Sequence, residues 1–270
     1  MSTISLSLDS EELALLYERA SANQQVLIGK SLIASLAPAP GQHILDVGSG
    51  TGLLAEHVAD LVGLEGRVTG VDPLRLRIEI ANRNARPNLS FAVANAYDLT
   101  AYAPASFDIV YLNAVFHWFD EKTGPLRQFH RLLKTGGRLG LTTSHKDSPN
   151  ILQAAKDRVL SRDPYRAHSA VPNADGSRRV TPEELRALLE QTGYKIEILE
   201  IRSIGNVVRA TADELIQFSD ASAFGNFLGH LPVELRAAAH REIVAELEPH
   251  RTAGGFVQEA RRLYAVATKA

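Results

Sequence analysis

The sequence predicts an α/β fold built on a doubly wound, mainly parallel sheet of seven strands, and three observations carry the prediction. From residue 43 to residue 143, short apolar runs alternate with helical patterns, the signature of repeated strand-helix-strand units. The first run meets the alternating glycines Gly48, Gly50 and Gly52 and passes straight into an amphipathic stretch. Polar residues Asp46, Asp72, Asn95 and Asn113 recur at or just beyond the ends of successive runs, which places them at the carboxyl edge of such a sheet, where ligands bind.

Residues 11–37 carry Leu13, Leu15, Leu16, Ile28, Leu32, Ile33 and Leu36 at helical spacing and are expected to form two helices, closed by Pro38 and Pro40. Strands are expected at 43–47, 67–72, 89–93, 107–113 and 137–143, with helices at 53–64, 75–84 and 122–133 between them. Pro149, Pro164 and Pro172 make the connection over 144–179 long and irregular. Thr181 and Pro182 then open a helix over 185–192, followed by a sixth strand at 195–201. Helices at 212–219 and 233–247 precede a last strand at 262–268. The expected organisation is a core over 1–204 and 254–270, with an N-terminal helical lid over 1–38 and a helical cap inserted over 205–253.

The 270 residues, 45% of them hydrophobic, suffice for one large core and a small accessory lobe. A formal net charge of -2, with no block of like charges, gives no field that would recruit nucleic acid, so the expected partner is a small molecule. No cysteine is present, which excludes disulfides, thiolate metal sites and a cysteine nucleophile. No metal ligand set is expected. No basic leader followed by an apolar core and no membrane-length apolar run is found, so a cytoplasmic protein, monomer or homodimer, is expected.

Glycines allow a sharp reversal and let a ligand rest against bare backbone at a helix N-terminus. The dinucleotide fingerprint requires a third glycine where this chain has Leu53, and Gly52 falls one residue early, which weakens a nicotinamide dinucleotide reading. Asp46 before the turn, the alternating glycines and Asp72 at the end of the next strand instead resemble motif I of class I S-adenosylmethionine-dependent methyltransferases. Phe107-Asp-Ile-Val-Tyr-Leu-Asn113 and Leu132-Leu-Lys-Thr-Gly-Gly-Arg-Leu139 resemble the later motifs of that family, so the resemblance covers roughly residues 11–145. It implies a Rossmann-like core of the small-molecule branch and S-adenosylmethionine as cofactor. The implied cofactor set is Tyr17, Asp46, Gly48, Ser49, Gly50, Asp72, Pro73, Asn95, Ala96 and Asn113. In it, Asp72 would accept both ribose hydroxyls, since a carboxylate offers two oxygens to a vicinal diol. Asn95 stands where the family often has the Asp of Gly-Asp-Ala. The chain also lacks the cysteines on which arsenite methyltransferases depend.

Methyl transfer is an in-line displacement, so the protein aligns the acceptor, excludes water and, where needed, removes a proton. Asn113-Ala-Val-Phe-His-Trp-Phe-Asp120 departs from the Asn/Asp-Pro-Pro-aromatic signature of amino-methyltransferases acting on nucleic acid bases and glutamine. His117-Trp118 is similar to the corresponding segment of the trans-aconitate and juvenile hormone acid carboxyl methyltransferases. Tyr17 followed seven residues later by Gln24 also resembles the juvenile hormone acid enzyme. The expected catalytic set is Gln24, His117 and Trp118, with Gln24, Trp118 and His145 on the acceptor and O-methylation of a carboxylate preferred. A phenol, carbon acid, amine or thiol acceptor stands as the alternative, with His117 as base, as does a non-catalytic cofactor-binding module. Trp118 also fits a packing role, His117 a structural one, and Tyr17 either a lid over the methyl donor or packing. Arg158, Arg162, Arg166, Arg178 and Arg179 cluster around the long connection, where they could steer an anionic substrate.

Overall fold

The computed structural model describes residues 10–147, 150–168, 178–223 and 225–270; the side chains of residues 11, 14–24 and 204 are outside that description. The chain divides into two compact units. One comprises Ser21–Lys146, Arg179–Arg202 and Arg262–Ala270, and the other comprises Asp147–Arg178 and Ser203–Arg261 with the N-terminal part of the chain to Ala20.

In chain order the elements are α1 (Glu11–Leu36), β1 (His43–Val47), α2 (Leu53–Val62), β2 (Arg67–Asp72), α3 (Arg75–Ala81), β3 (Leu89–Val93), β4 (Phe107–Asn113), α4 (Thr123–Leu132) and β5 (Leu133–Thr143). They continue with α5 (Ile151–Leu160), α6 (Pro182–Gln191), β6 (Tyr194–Arg209), α7 (Ala212–Ser222), α8 (Val233–Leu247) and β7 (Phe256–Lys269). The seven strands form one sheet in the order β3-β2-β1-β4-β5-β7-β6. The pairs β1/β2, β2/β3, β1/β4 and β4/β5 are parallel, and β5/β7 is antiparallel. The direction of winding reverses between β1 and β4, which makes their carboxyl ends the switch point. Register aligns Asp46 with Gly70 and Tyr111, Asp72 with Val93, and Asn113 with Thr142.

Inward residues of β1, β4, β5 and β7 (Leu45, Val110, Leu112, Leu139, Leu141, Leu263) bury against Leu126 and Phe129 of α4 and Leu185 and Leu189 of α6. Each such side chain contributes roughly 1.5–3 kcal/mol of burial. Helix α6 begins at a capping box, in which the Thr181 hydroxyl accepts from the Glu184 N–H and the Glu184 carboxylate accepts from the Thr181 N–H. On α1, Leu36 lies so close to β5 that a Cβ added at Gly140 would stand 2.5 Å from its Cδ1.

Several boundaries differ from those expected. Residues 11–36 form one helix of 26 residues rather than two, because Ser21-Ala-Asn-Gln24 contains neither proline nor glycine to break it. Strand β5 starts at Leu133 rather than 137, with a register shift opposite Phe107 to Ile109, where Gly136 takes φ +73°. Strands β6 and β7 are longer than their apolar runs. The continuation of β6 beyond 201 is largely exposed, so hydrophobic alternation does not reveal it. The helices expected as a cap over 205–253 share their unit with α5: Leu152, Ala155 and Val159 are buried in one cluster with Ile216, Ile243, Leu247 and Phe256. The arginines of the long connection are partly spent locally, because Arg158 and Arg162 both pair with Glu246, and Arg166 pairs with Asp163.

Candidate functional site

At the carboxyl end of β1 the chain reverses through three glycines in the left-handed region, Gly48 (φ +75°), Gly50 (φ +55°) and Gly52 (φ +93°). The Gly48 and Ser49 N–H groups donate to the Val71 carbonyl at 2.7 and 3.1 Å, locking the turn onto β2. The glycines are not equivalent. A Cβ at Gly48 would lie 2.3 Å from Val115 Cγ2, and one at Gly52 would lie 2.6 Å from Phe91 Cζ, whereas one at Gly50 would meet nothing within 4 Å among the described residues. Bare backbone at Gly50 therefore faces open space at the start of α2, where a ligand can approach it.

Two acids flank this turn. Asp72 is buried, and its Oδ2 accepts from the Gly50 N–H at 3.0 Å while Oδ1 accepts from the Leu74 N–H at 2.9 Å. A carboxylate has further lone pairs beyond those two bonds. Asp46 is 3% exposed and accepts at Oδ2 from the Tyr111 hydroxyl at 2.7 Å. Burial pushes the Asp46 carboxyl up to about 7; the Tyr111 bond works against that shift and the neighbouring Asp72 charge adds to it. The Ser49 hydroxyl oxygen is buried and has no hydrogen-bond partner among the described residues. Pro73 is exposed beside Asp72, and Ala96 is buried in the main apolar cluster.

Asn95 is exposed, and its side-chain oxygen accepts from the Tyr97 N–H at 3.1 Å, closing its own loop. The Asn113 amide is engaged at both ends: Nδ2 donates to the Gln25 carbonyl at 3.0 Å, and Oδ1 accepts from the Thr142 hydroxyl at 2.7 Å. In this structure Asn113 thus fastens α1 and β5 to β4. Tyr17 and Gln24 lie on α1 at positions whose side chains are outside the described residues.

Beyond Asn113, Ala114 takes φ +60°, its N–H donating to the Thr142 carbonyl at 3.0 Å, and turns the chain out of the sheet. A short 3-10 turn, Phe116–Trp118, follows. Within it His117 is buried, its Nδ1 is 3.1 Å from the Thr143 hydroxyl, and its ring centroid is 4.8 Å from that of Trp118. Burial first, then the charges of Arg179, Arg262 and Lys122, hold the imidazole well below its ordinary range. It is a neutral group near pH 7. The Lys122 ammonium donates to the Phe116 and Phe119 carbonyls at 3.2 and 2.8 Å, which closes this turn, and lies 5.0 Å from the Phe116 ring centroid. His145 is buried just past β5, bridged through its backbone to Val180.

Comparison with known proteins decides what this edge belongs to. The model of the family described as "Methyltransferase domain" matches residues 45–141. An O-methyltransferase, rstn1, of Aspergillus nomiae is 34% identical over 176 residues, covering 62% of this chain and 71% of that protein. The chain belongs to the class I S-adenosylmethionine-dependent methyltransferases. The O-methyltransferase resE of Aspergillus sclerotiorum is 34% identical over 184 residues, 65% of this chain but only 62% of the relative's length. Among solved structures, a putative methyltransferase from Bacillus halodurans shares the fold at TM-score 0.58, with 17% identity over 89% of this chain and 98% of that one.

The methyltransferase edge fits the family's cofactor, S-adenosylmethionine. The open backbone at Gly50 and the ionisable pair Asp46 and Asp72 suit a ligand that carries an ammonium and a ribose diol. Among the described residues, no group of three or more His, Cys, Asp and Glu could hold a metal ion, and no helix is long and apolar enough to cross a membrane. Three residues escaped the sequence reading: Tyr111, Thr143 and Lys122. Tyr111 and Thr143 sit inside ordinary apolar strands, and only their register opposite Asp46 and their contact with His117 single them out. Lys122 looks like a surface charge until its carbonyl partners are seen.

Proposed function

We propose that this chain transfers a methyl group from S-adenosylmethionine to an oxygen of a small-molecule acceptor, with a carboxylate the preferred acceptor. The cofactor supplies an electrophilic methyl group on a positively charged sulfur. A carboxylate oxygen would take that methyl group by in-line displacement of the sulfur, leaving the methyl ester and S-adenosylhomocysteine. The chain's task is alignment and exclusion of water.

One observation carries the carboxylate preference. The histidine at the acceptor edge is neutral and buried, and the charges acting on it are cationic, so it is poorly placed to take a proton. A carboxylic acid, ionised at neutral pH with a reference pKa near 4, needs no base. The same cations would attract an anionic acceptor, while Trp118 and Gln24 would supply neutral donors that orient it without holding its charge in a tight ion pair. A phenol is the second reading, favoured by the same charges, since Arg179 and Arg262 would stabilise a phenolate. The relatives' description as O-methyltransferases supports oxygen as the accepting atom in either case.

The test is transfer of labelled methyl from S-adenosylmethionine to a panel of carboxylic acids, phenols, amines and thiols, followed by mild alkali. Label released as methanol marks a methyl ester, the expected result. Alkali-stable label on a phenol overturns the carboxylate preference but keeps the oxygen reading. Saturable cofactor binding with no transfer across the panel overturns catalysis in favour of a binding module.

A further inference from the structure

His117 leaves the sheet on the turn after β4, and its ring comes back to the last residue of β5. That residue, Thr143, is 0% exposed and lies in register with Leu263 of β7, so its hydroxyl must find its partners within the protein. Two are in reach, His117 Nδ1 at 3.1 Å and the Ser144 carbonyl at 3.4 Å. A hydroxyl has one hydrogen, and a neutral imidazole has one N–H and one lone pair. If the hydroxyl donates to the Ser144 carbonyl, Nδ1 carries the ring's hydrogen and donates to Oγ1, and both contacts are bonds. If the hydroxyl donates to Nδ1 instead, only one of them is. The 3.1 Å separation falls in the ordinary range for an N–H donor to oxygen.

Burial, with the charges of Arg179, Arg262 and Lys122, keeps the ring neutral, so the choice lies between two tautomers and not between charge states. Thr143 and β5 occupy the Nδ1 side, and the described residues give Nε2 no hydrogen-bond partner. We infer that Thr143 fixes His117 as the Nδ1–H tautomer, so that Nε2 presents a lone pair to the methyl acceptor and selects acceptors that carry a hydroxyl group. The inference rests on the small-molecule reading above and deepens it. A carboxylate brings only lone pairs, which suit the neutral donors that Trp118 and Gln24 would supply; a lone pair on Nε2 calls for a donor elsewhere on the same molecule. The substrate class that follows is a hydroxy acid whose hydroxyl is hydrogen-bonded by His117 and keeps its proton. Thr143 is a positioning residue, acting through His117.

The experiment is nitrogen-15 imidazole NMR of the full chain near neutral pH, with His117→Gln identifying the relevant signals among those of the nine histidines. The wild type is expected to carry hydrogen on Nδ1 and none on Nε2. Thr143→Ser keeps the hydroxyl and should keep this pattern. Thr143→Val fills the same space without the hydroxyl and should move the hydrogen to Nε2 in a substantial part of the population. Hydrogen on Nε2 in the wild type, or an unchanged pattern in Thr143→Val, overturns the inference. The wild-type pattern needs no variant, so it decides even if Thr143→Val fails to fold.

The hydroxyl preference is read with S-adenosylhomocysteine present, by adding 4-hydroxybenzoate beside benzoate and lactate beside propionate. In at least one pair the hydroxylated acid should shift the Nε2 signal and bind about 3- to 10-fold tighter than its partner, and Thr143→Val should reduce that preference to within about 2-fold. Equal affinities within both pairs overturn the selection of a hydroxyl. Neither reading uses turnover, so a failure of methyl transfer in the labelled panel overturns the proposed function separately.

Discussion

The two halves of the sheet's carboxyl edge are built by different means. At β1 and β2 the backbone does most of the work: three left-handed glycines, two N–H groups on the Val71 carbonyl, and two more on Asp72. At β4 and β5 side chains do it, with Asn113 on Thr142, His117 on Thr143, and Lys122 closing the turn over Phe116 and Phe119. The lesson is a division of labour. On the proposed function, the cofactor shared by the family would be met by conformation, which tolerates little change, and the acceptor by side chains, which can be exchanged while the backbone stays the same.

The largest effect expected from breaking this contrast is within the glycine turn itself. Gly48→Ala forces a Cβ to 2.3 Å from Val115 Cγ2 at φ +75° and should cost roughly 2–5 kcal/mol of stability. Gly50→Ala, two residues on and facing open space, should cost only about 1 kcal/mol of stability while weakening S-adenosylhomocysteine binding at least about 10-fold. Chemical denaturation and calorimetry on the same two variants separate the outcomes. Equal losses of stability would mean that Gly50 serves the fold alone.

Next in size is Lys122→Met, which keeps the apolar stem but leaves two carbonyls without their charged donor. It should cost about 1.5–3 kcal/mol and should loosen the Phe116–Trp118 turn, so that methyl transfer falls while cofactor affinity holds. Unchanged transfer would remove this turn from the acceptor's site.

The smallest effect is electrostatic. The folded His117 titrates well below its unfolded value near 6.5, so its contribution is fully present above that value and is lost as pH falls toward the folded one. Wild-type stability should drop by about 1 kcal/mol more than that of His117→Gln between pH 6.5 and 5.5, measured by urea unfolding at each pH. Parallel pH profiles would contradict a buried neutral imidazole.

The same contrast explains what could be read from the sequence. The positions of most strands and the glycine turn are legible because apolar runs and alternating glycines are local signals, and Asp46 and Asp72 follow from them by spacing. Tyr111, Thr143 and Lys122 were not, because each acquires its role from a partner on another element. The strand-end place of Asn113 is legible in the sequence, but its bonds to Gln25 and Thr142 appear only in three dimensions. The length of α1 was missed for the opposite reason: an uninterrupted helix leaves no punctuation to read.

The division between the two edges is tested most directly by the affinity of Trp118→Ala for S-adenosylhomocysteine, measured beside its rate of methyl transfer. The account predicts affinity within about 2-fold of the wild type and transfer reduced at least about 10-fold, as expected of a residue that serves the acceptor alone. Affinity that falls as far as transfer would place Trp118 on the cofactor and contradict the division.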